Sequence, residues 1–208
     1  MKILLLGSES VECERLRASL AREGDTILSC GRRVDITMVT EAKPDIVVSY
    51  GHRFILPPEV FALPPLGAIN LHISYLPWNR GADPNFWSLV ENTPKGVSIH
   101  YIDAGIDTGD LIARAPVALS ESDTLRTSYD RLHLELRSLF AAWWPEIRKG
   151  LAPRGPQEPS GTFHLRNDRA AFEHLLAARG WDTPVRELAG LRLDHERIHE
   201  RNRRHETA

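Results

Sequence analysis

The chain has little sulfur and little charge imbalance. Its two cysteines, Cys13 and Cys30, stand among 208 residues without metal or redox spacing, so each reads as a small buried residue. There is no H-E-x-x-H, no paired C-x-x-C and no carboxylate and histidine set at ligand spacing, which argues against a required metal. No apolar run reaches membrane-spanning length, and the opening MKILLLG is too short for a signal-peptide core with its flanks. A soluble, cytoplasmic protein with no membrane partner is therefore expected. A net charge of −2 removes the global electrostatic case for nucleic acid. The first strand and turn also lack G-x-G-x-x-G. Gly7-Ser8-Glu9-Ser10 offers one glycine where a dinucleotide needs close backbone approach, so a nicotinamide-binding role ranks low.

What is present, 42% hydrophobic residues, suffices for one full core with a small appendage. MKILLLG reads as a buried strand, and Ser10 to Glu23 as a helix with Leu16 and Leu20 at helical spacing and Gly24 as its stop. TILSC and DIVVSY are the next strands, with a short helix between them ending at Ala42-Lys43-Pro44. This repetition predicts an α/β fold, a Rossmann-like and mostly parallel sheet flanked by helices. LIARAPVAL continues as a strand, and Ser120 to Asp123 supply caps for a long amphipathic helix running to Lys149. Its core stripe is Leu125, Tyr129, Leu132, Leu136, Leu139, Phe140 and Trp143, and Pro145 is expected to kink or shorten its end. The Pro/Gly-rich stretch Leu151 to Gly161 is the boundary. It divides a catalytic domain over 1–150 from a small α-helical, short-strand extension over 151–195, with a charged, disordered tail expected over 196–208. Within the extension a strand is expected at Thr162 to Leu165, and helices around Ala170 to Arg179 and Pro184 to Leu193.

Two stretches carry chemistry. Gly67 to Pro84 places Asn70, His72 and Ser74 on one face of a strand and Ile69, Leu71 and Ile73 on the other. In Gly96 to Asp110, Val97, Ile99 and Tyr101 alternate with Ser98, His100 and Ile102 before a turn-rich run bearing Asp103, Asp107 and Asp110. His100 reads equally as a structural residue and as a participant. Ligands of open α/β sheets sit beyond the carboxyl ends of strands, so Tyr50, Gly51, His52, Phe54 and Ile55 would border a pocket. Asp83 and Pro84 read as the start of a helix, with Phe86 and Trp87 in the core. Arg80 is divided between an anionic ligand group and a surface carboxylate. His52, His133, His164 and His174 have no partner spacing and read as surface or local hydrogen-bonding groups.

Taken together, Asn70, His72, Ser74, Leu76 and Pro77, then Asp103, Gly105, Asp107, Thr108, Gly109 and Asp110, resemble the 10-formyltetrahydrofolate-dependent formyltransferases. That family's pattern is Asn-x-His-x-Ser-x-Leu-Pro followed by Asp-x-Gly-x-Asp-Thr-Gly-Asp. The resemblance implies transfer of a formyl group from 10-formyltetrahydrofolate to a primary amine without a metal. Asn70, His72 and Asp107 match the three catalytic positions. The folate would lie against Tyr50, Gly51, His52, Phe54, Ile55, Leu56, Ile102, Asp103, Gly105, Ile106 and Thr108, and the acceptor near Ser74, Trp78, Asn79, Arg80 and Gly81. Such a transfer needs a neutral amine, stabilisation of an oxyanion and proton delivery to the departing nitrogen. Asn70 would donate to the oxyanion, His72 would add a second donor and move protons, and Asp107 would favour the charged imidazole and accept a proton.

Further segments, Pro77 to Asn79, Asp83-Pro84, Phe86 to Ser88, Thr93 to Val97, Gly161-Thr162 and Val185 to Leu188, narrow the resemblance. They are similar to compact enzymes that formylate nucleotide-linked amino sugars and to the formylation domains of peptide synthetases such as the linear gramicidin synthetase. A small-molecule amine on a nucleotide-linked sugar is the leading acceptor. The alternatives are an aminoacyl group on a docked carrier protein, methionyl-tRNA, and a non-catalytic folate- or nucleotide-binding module. Neither a basic surface signature nor a large carboxy-terminal β-barrel is read, so no nucleic-acid partner is expected. A homodimer is left open.

Overall fold

A computed structural model of the chain describes residues 1–7, 9–22 and 24–191. In chain order the elements are β1 (Lys2–Gly7), α1 (Val11–Arg22), β2 (Thr26–Cys30), α2 (Ile36–Ala42), β3 (Ile46–Tyr50), α3 (Pro58–Phe61) and β4 (Ala68–His72). There follow β5 (Arg80–Gly81), α4 (Pro84–Val90), β6 (Gly96–Tyr101), β7 (Leu111–Pro116), α5 (Leu125–Arg148) and β8 (Phe163–His164). Two 3-10 segments, Arg166–Leu176 and Gly180–Asp182, lead to the short helix α6 (Val185–Leu188).

Six strands form one sheet in the order β2-β1-β3-β4-β6-β7. The first four pair in parallel, β6 pairs antiparallel with β4, and β7 antiparallel with β6. The central strands are unbroken apolar runs because helices cover both of their faces. Ile3 and Leu5 of β1 meet Leu16 and Leu20 of α1 and the stripe of α5, while Leu4 and Leu6 meet Val39 of α2 and Val60 of α3. A third cluster joins Phe86, Trp87, Leu89 and Val90 of α4 to Leu176, Val185 and Leu188. The stretch after the connector is thereby packed on α4. It is also laced to the loop after β4 by the parallel pairing of β5 with β8.

Several local expectations change in the folded chain. Helix α5 is capped by Thr124, whose Oγ1 accepts from Thr127 N at 3.2 Å while Thr127 Oγ1 accepts from Thr124 N at 2.9 Å. Residues 120–123 form the preceding turn instead, with Asp123 accepting from Ser120 N. Trp144, rather than Trp143, is the tryptophan buried fully in the stripe. The helix runs on through Pro145 to Arg148. A proline inside a helix costs about 3 kcal/mol, but Leu132, Leu136, Phe140, Trp144 and Ile147 are all buried, each worth roughly 1.5–3 kcal/mol. Ala141 and Pro145 are both exposed, so the carbonyl that the proline orphans lies on the wet side. Asp83 precedes α4 in the left-handed region at φ 50°, and its side chain does not cap the helix but pairs with Arg169 at 3.1 Å. An N-cap needs extended backbone to aim its oxygen at the first turn. Beyond the connector, 3-10 turns replace the helix expected over Ala170 to Arg179. Where Pro184 to Leu193 was expected, α6 is the helix among the described residues, which end at 191; these short segments are held by Leu176, Val185 and Leu188 and not by a continuous apolar face. The expected tail, 196–208, lies outside the described residues.

Candidate active site

Strand β4 directs Asn70 and His72 to the sheet face opposite Ile69 and Leu71, as a period of two requires. The antiparallel register with β6 sets His100 directly across from Asn70. The loop after β6 folds back over this face and brings Asp107 onto all three. Its Oδ1 accepts from Asn70 Nδ2 at 3.0 Å and lies 3.3 Å from His100 Nε2. Its Oδ2 accepts from the Gly81 N–H at 2.8 Å and lies 3.7 Å from His72 Nδ1. Burial pushes the Asp107 carboxyl up, but the neighbouring imidazoles of His72 and His100 and the Gly81 N–H together hold it well below the usual carboxylate range. The residue is an anion at any ordinary pH. It adopts φ 54°, a left-handed conformation that Asp tolerates better than most residues.

The hydrogen bonds also fix which histidine nitrogen is free. His72 Nε2 lies 3.1 Å from the carbonyl oxygen of Asn79, an acceptor, so Nε2 carries the hydrogen. Nδ1, facing Asp107, is left to exchange a proton. The His100 ring is held from its other side, with Nδ1 donating to the Tyr101 carbonyl at 2.8 Å. Gly81 belongs to the same construction. At φ 86° a side chain there would run into the His164 carbonyl oxygen, so a glycine is what lets β5 pair with β8 while its N–H reaches Asp107.

These groups lie in a cleft of about 720 Å³. Part of its lining is apolar: Phe54, Ile55 and Ile106 line it while staying 37%, 70% and 38% exposed. The lining also includes Asp83, Phe163, Arg166, Arg169 and Trp181. Along the wall the Tyr50 hydroxyl donates to His133 Nδ1 at 2.5 Å. Burial raises the Tyr50 hydroxyl and pushes His133 down to about 4, so the phenol keeps its proton and the neutral imidazole accepts it.

Asn70, His72 and Asp107 therefore meet at one point. Tyr50, Gly51, His52, Phe54, Ile55, Leu56, Ile102, Asp103, Gly105 and Ile106 line the cleft around them. Thr108 does not; its hydroxyl donates to Asp103 Oδ1 at 2.6 Å and shapes the loop. Of the group expected to meet the acceptor, Gly81 alone lines the cleft. Ser74 and Asn79 are buried and Trp78 is half-buried elsewhere. The Asn79 amide is bonded to Thr93 and Thr162. The Arg80 guanidinium donates through Nε and one terminal nitrogen to Gln157 Oε1. The reason is common to all four: after His72 the chain turns off the sheet face to meet β8.

Sequence reasoning undervalued three histidines. His100 shares the face of Ser98 by alternation, a signal that cross-strand register turns into contact with Asn70 and Asp107. His133 and His164 are buried rather than at the surface. His164 stacks on Trp87 with ring centroids 4.0 Å apart and pairs with Glu91 at 3.2 Å. His174 is exposed, as read. Gln157, in the connector, gave no signal at all.

The family model described as formyl transferase matches residues 33–142, more than half of the chain and the part that holds the whole Asn70, His72 and Asp107 cluster. The chain belongs to the formyltransferase family. A solved relative is the formyltransferase PseJ of Anoxybacillus kamchatkensis, 44% identical, covering 92% of this chain and 99% of its own, with a TM-score of 0.86. That formyltransferase was crystallised with UDP-4,6-dideoxy-4-formamido-L-AltNAc and tetrahydrofolate. A sugar N-formyltransferase from Shewanella, at 21% identity, shares the fold with a TM-score of 0.68 over 82% of this chain and 79% of its own. Methionyl-tRNA formyltransferase of Desulforamulus reducens is 36% identical over 152 residues, 71% of this chain and 48% of that protein. The chain spans about half the length of the curated relatives it matches. Among the described residues of this formyltransferase no helix is long and apolar enough to cross a membrane.

Proposed function

We propose that the chain moves the formyl group of 10-formyltetrahydrofolate to the amino group of a nucleotide-linked amino sugar. The observation that carries this is the convergence of Asn70, His72 Nδ1 and the Asp107 carboxylate in a cleft lined both by exposed apolar side chains and by Arg166 and Arg169. The apolar lining, where Phe54, Ile55 and Ile106 expose hydrocarbon beside buried Leu56 and half-buried Ile102, suits a pterin ring; the donor bound there would supply the electrophilic formyl carbon. Asn70 Nδ2 lies 3.0 Å from Asp107 Oδ1 and 3.2 Å from His100 Nε2, and its second hydrogen turns from His100 to the oxygen on which charge develops. His72, with Nε2 held by Asn79, takes the proton of the attacking amine at Nδ1 and returns it to the departing nitrogen. Asp107, kept anionic by its three partners, sits where it balances the charge that His72 then gains.

The acceptor reading is supported by the polar and aromatic lining of the cleft and by the likeness to PseJ along nearly the whole chain. Arg166 and Arg169 offer guanidinium groups suited to a diphosphate, and Trp181, 39% exposed, offers an aromatic face to a base. Asp83 pairs with Arg169, leaving Arg166 to carry the net positive charge. The matching experiment is formyl transfer to a UDP-linked 4-amino sugar, followed by mass spectrometry, in the wild-type protein and in His72→Ala. Turnover that falls by about 100-fold or more in the variant is expected from loss of the proton carrier. Transfer confined to a carrier-bound aminoacyl group, or full turnover in His72→Ala, would refute the acceptor or the mechanism respectively.

A further inference from the structure

We infer that Gln157, from the connector after α5, is a positioning residue that sets the Asp107 carboxylate. A primary amide has four hydrogen-bonding positions, two donors and two lone pairs, and here all four are used on the two segments that meet at Asp107. Its Nε2 donates to the carbonyl oxygens of Asp107 and Gly109, each at 2.8 Å. Its Oε1 accepts from Arg80 Nε at 3.1 Å and from a terminal Arg80 nitrogen at 2.7 Å. Arg80 is the neighbour of Gly81, whose N–H holds the Asp107 carboxylate at 2.8 Å. The bonds close a ring: Asp107 backbone to Gln157, Gln157 to Arg80, Arg80 along the chain to Gly81, and Gly81 back to the Asp107 side chain.

The ring answers a mechanical need. Asp107 stands in a left-handed conformation, on a turn whose own internal bonds come from Asp103 and Thr108 on the far side. Among the described residues, no hydrogen bond from within that turn sets where its Asp107 and Gly109 carbonyls point. Gln157 does so, and it is itself anchored, because Gly155 makes a two-bond bridge with Leu111 at the start of β7. No other side chain substitutes for it. A glutamate keeps Arg80 but turns a carboxylate on two carbonyl oxygens, and an asparagine is one methylene short. The connector that reads as a boundary thus completes the site on its other side.

The inference rests on the proposed catalytic role of Asp107, so Asp107→Asn is measured beside Gln157→Ala, Gln157→Glu and the double variant Asp107→Asn/Gln157→Ala. Gln157→Ala removes all four bonds, and loss of the two that hold the Asp107 and Gly109 carbonyls should lower kcat by about 10- to 30-fold, with KM for both substrates within about twofold. Gln157→Glu, which retains the Arg80 contact and hence the fold, should lose kcat alike. In the Asp107→Asn background the same substitution should cost nothing further, since its effect passes through the carboxylate. Amide hydrogen exchange adds a readout independent of the acceptor: the Gly81 N–H should lose protection in Gln157→Ala. A kcat loss that persists in the Asp107→Asn background, a rise in KM alone, or unchanged Gly81 protection would overturn the inference. A crippled Asp107→Asn beside a full-rate Gln157→Ala removes this inference and leaves the catalytic reading, whereas a full-rate Asp107→Asn removes both.

Discussion

The buried pair of Tyr50 and His133 makes acid stability a quantitative test of the cleft wall. Burial lowers the His133 imidazole from its ordinary 6.5 to about 4 in the folded chain. The unfolded chain therefore takes up this proton as pH falls through 6.5, while the folded chain refuses it until about 4. Stability is complete above 6.5 and is lost progressively across that window, with the full gap of 2.5 units amounting to about 3 kcal/mol. Between pH 7 and pH 5 the loss from this one group is about 2 kcal/mol, or roughly 4–8 °C of melting temperature for a chain of this size. Asp107 does not blur the result. Its folded value is depressed, so its contribution is present above the ordinary carboxylate range and is lost only below it, under the His133 window.

The comparison is His133→Gln, whose amide oxygen can still accept from the Tyr50 hydroxyl but cannot titrate. Urea unfolding at pH 7, 6 and 5 gives the free energies directly. The wild-type protein should lose about 2 kcal/mol more than the variant over that range. Parallel losses in the two proteins would show that His133 is not held neutral by burial, and with it the assignment of Tyr50 as donor would fall.

Two further outcomes follow from the same geometry. Gly81→Ala places a methyl against the His164 carbonyl at a φ that side chains avoid; it should cost about 1–3 kcal/mol of stability and depress transfer by releasing the Asp107 bond, and melting together with turnover unchanged from wild type would contradict this. Arg166→Glu should weaken binding of UDP, read by calorimetry, by about 10-fold or more while tetrahydrofolate binding stays as it was, and equal UDP affinity would remove Arg166 from the acceptor site.

The apolar runs of β1 and β3, the strand alternation around Asn70 and His72 and the turn residues from Asp103 to Asp110 are local patterns. Local patterns state their own conformation and face. The α/β sheet, a pocket beyond the carboxyl ends of its strands and the convergence of Asn70, His72 and Asp107 were accordingly legible, the last through the pairing of two motifs. The loop Pro77 to Gly81 misled because its residues look polar and available, and nothing local says that Asn79 is sealed under Thr93 and Thr162 or that Arg80 is committed to Gln157. His100 was half legible. Its face was set by alternation, but its contact with Asp107 depended on the β4 and β6 register, which places it opposite Asn70.

By itself, then, the sequence determined which chemical groups this formyltransferase presents and on which face of which strand, because side-chain period and turn chemistry depend on neighbours in the chain. The tertiary structure decided which nitrogen of His72 is free, why Asp107 stays anionic, and that Gln157, fifty residues further on, holds the Asp107 loop. Those outcomes are set by hydrogen bonds between segments far apart in the chain, and their donors and acceptors acquire partners only once the sheet, the β5 and β8 pairing and the connector have brought them together.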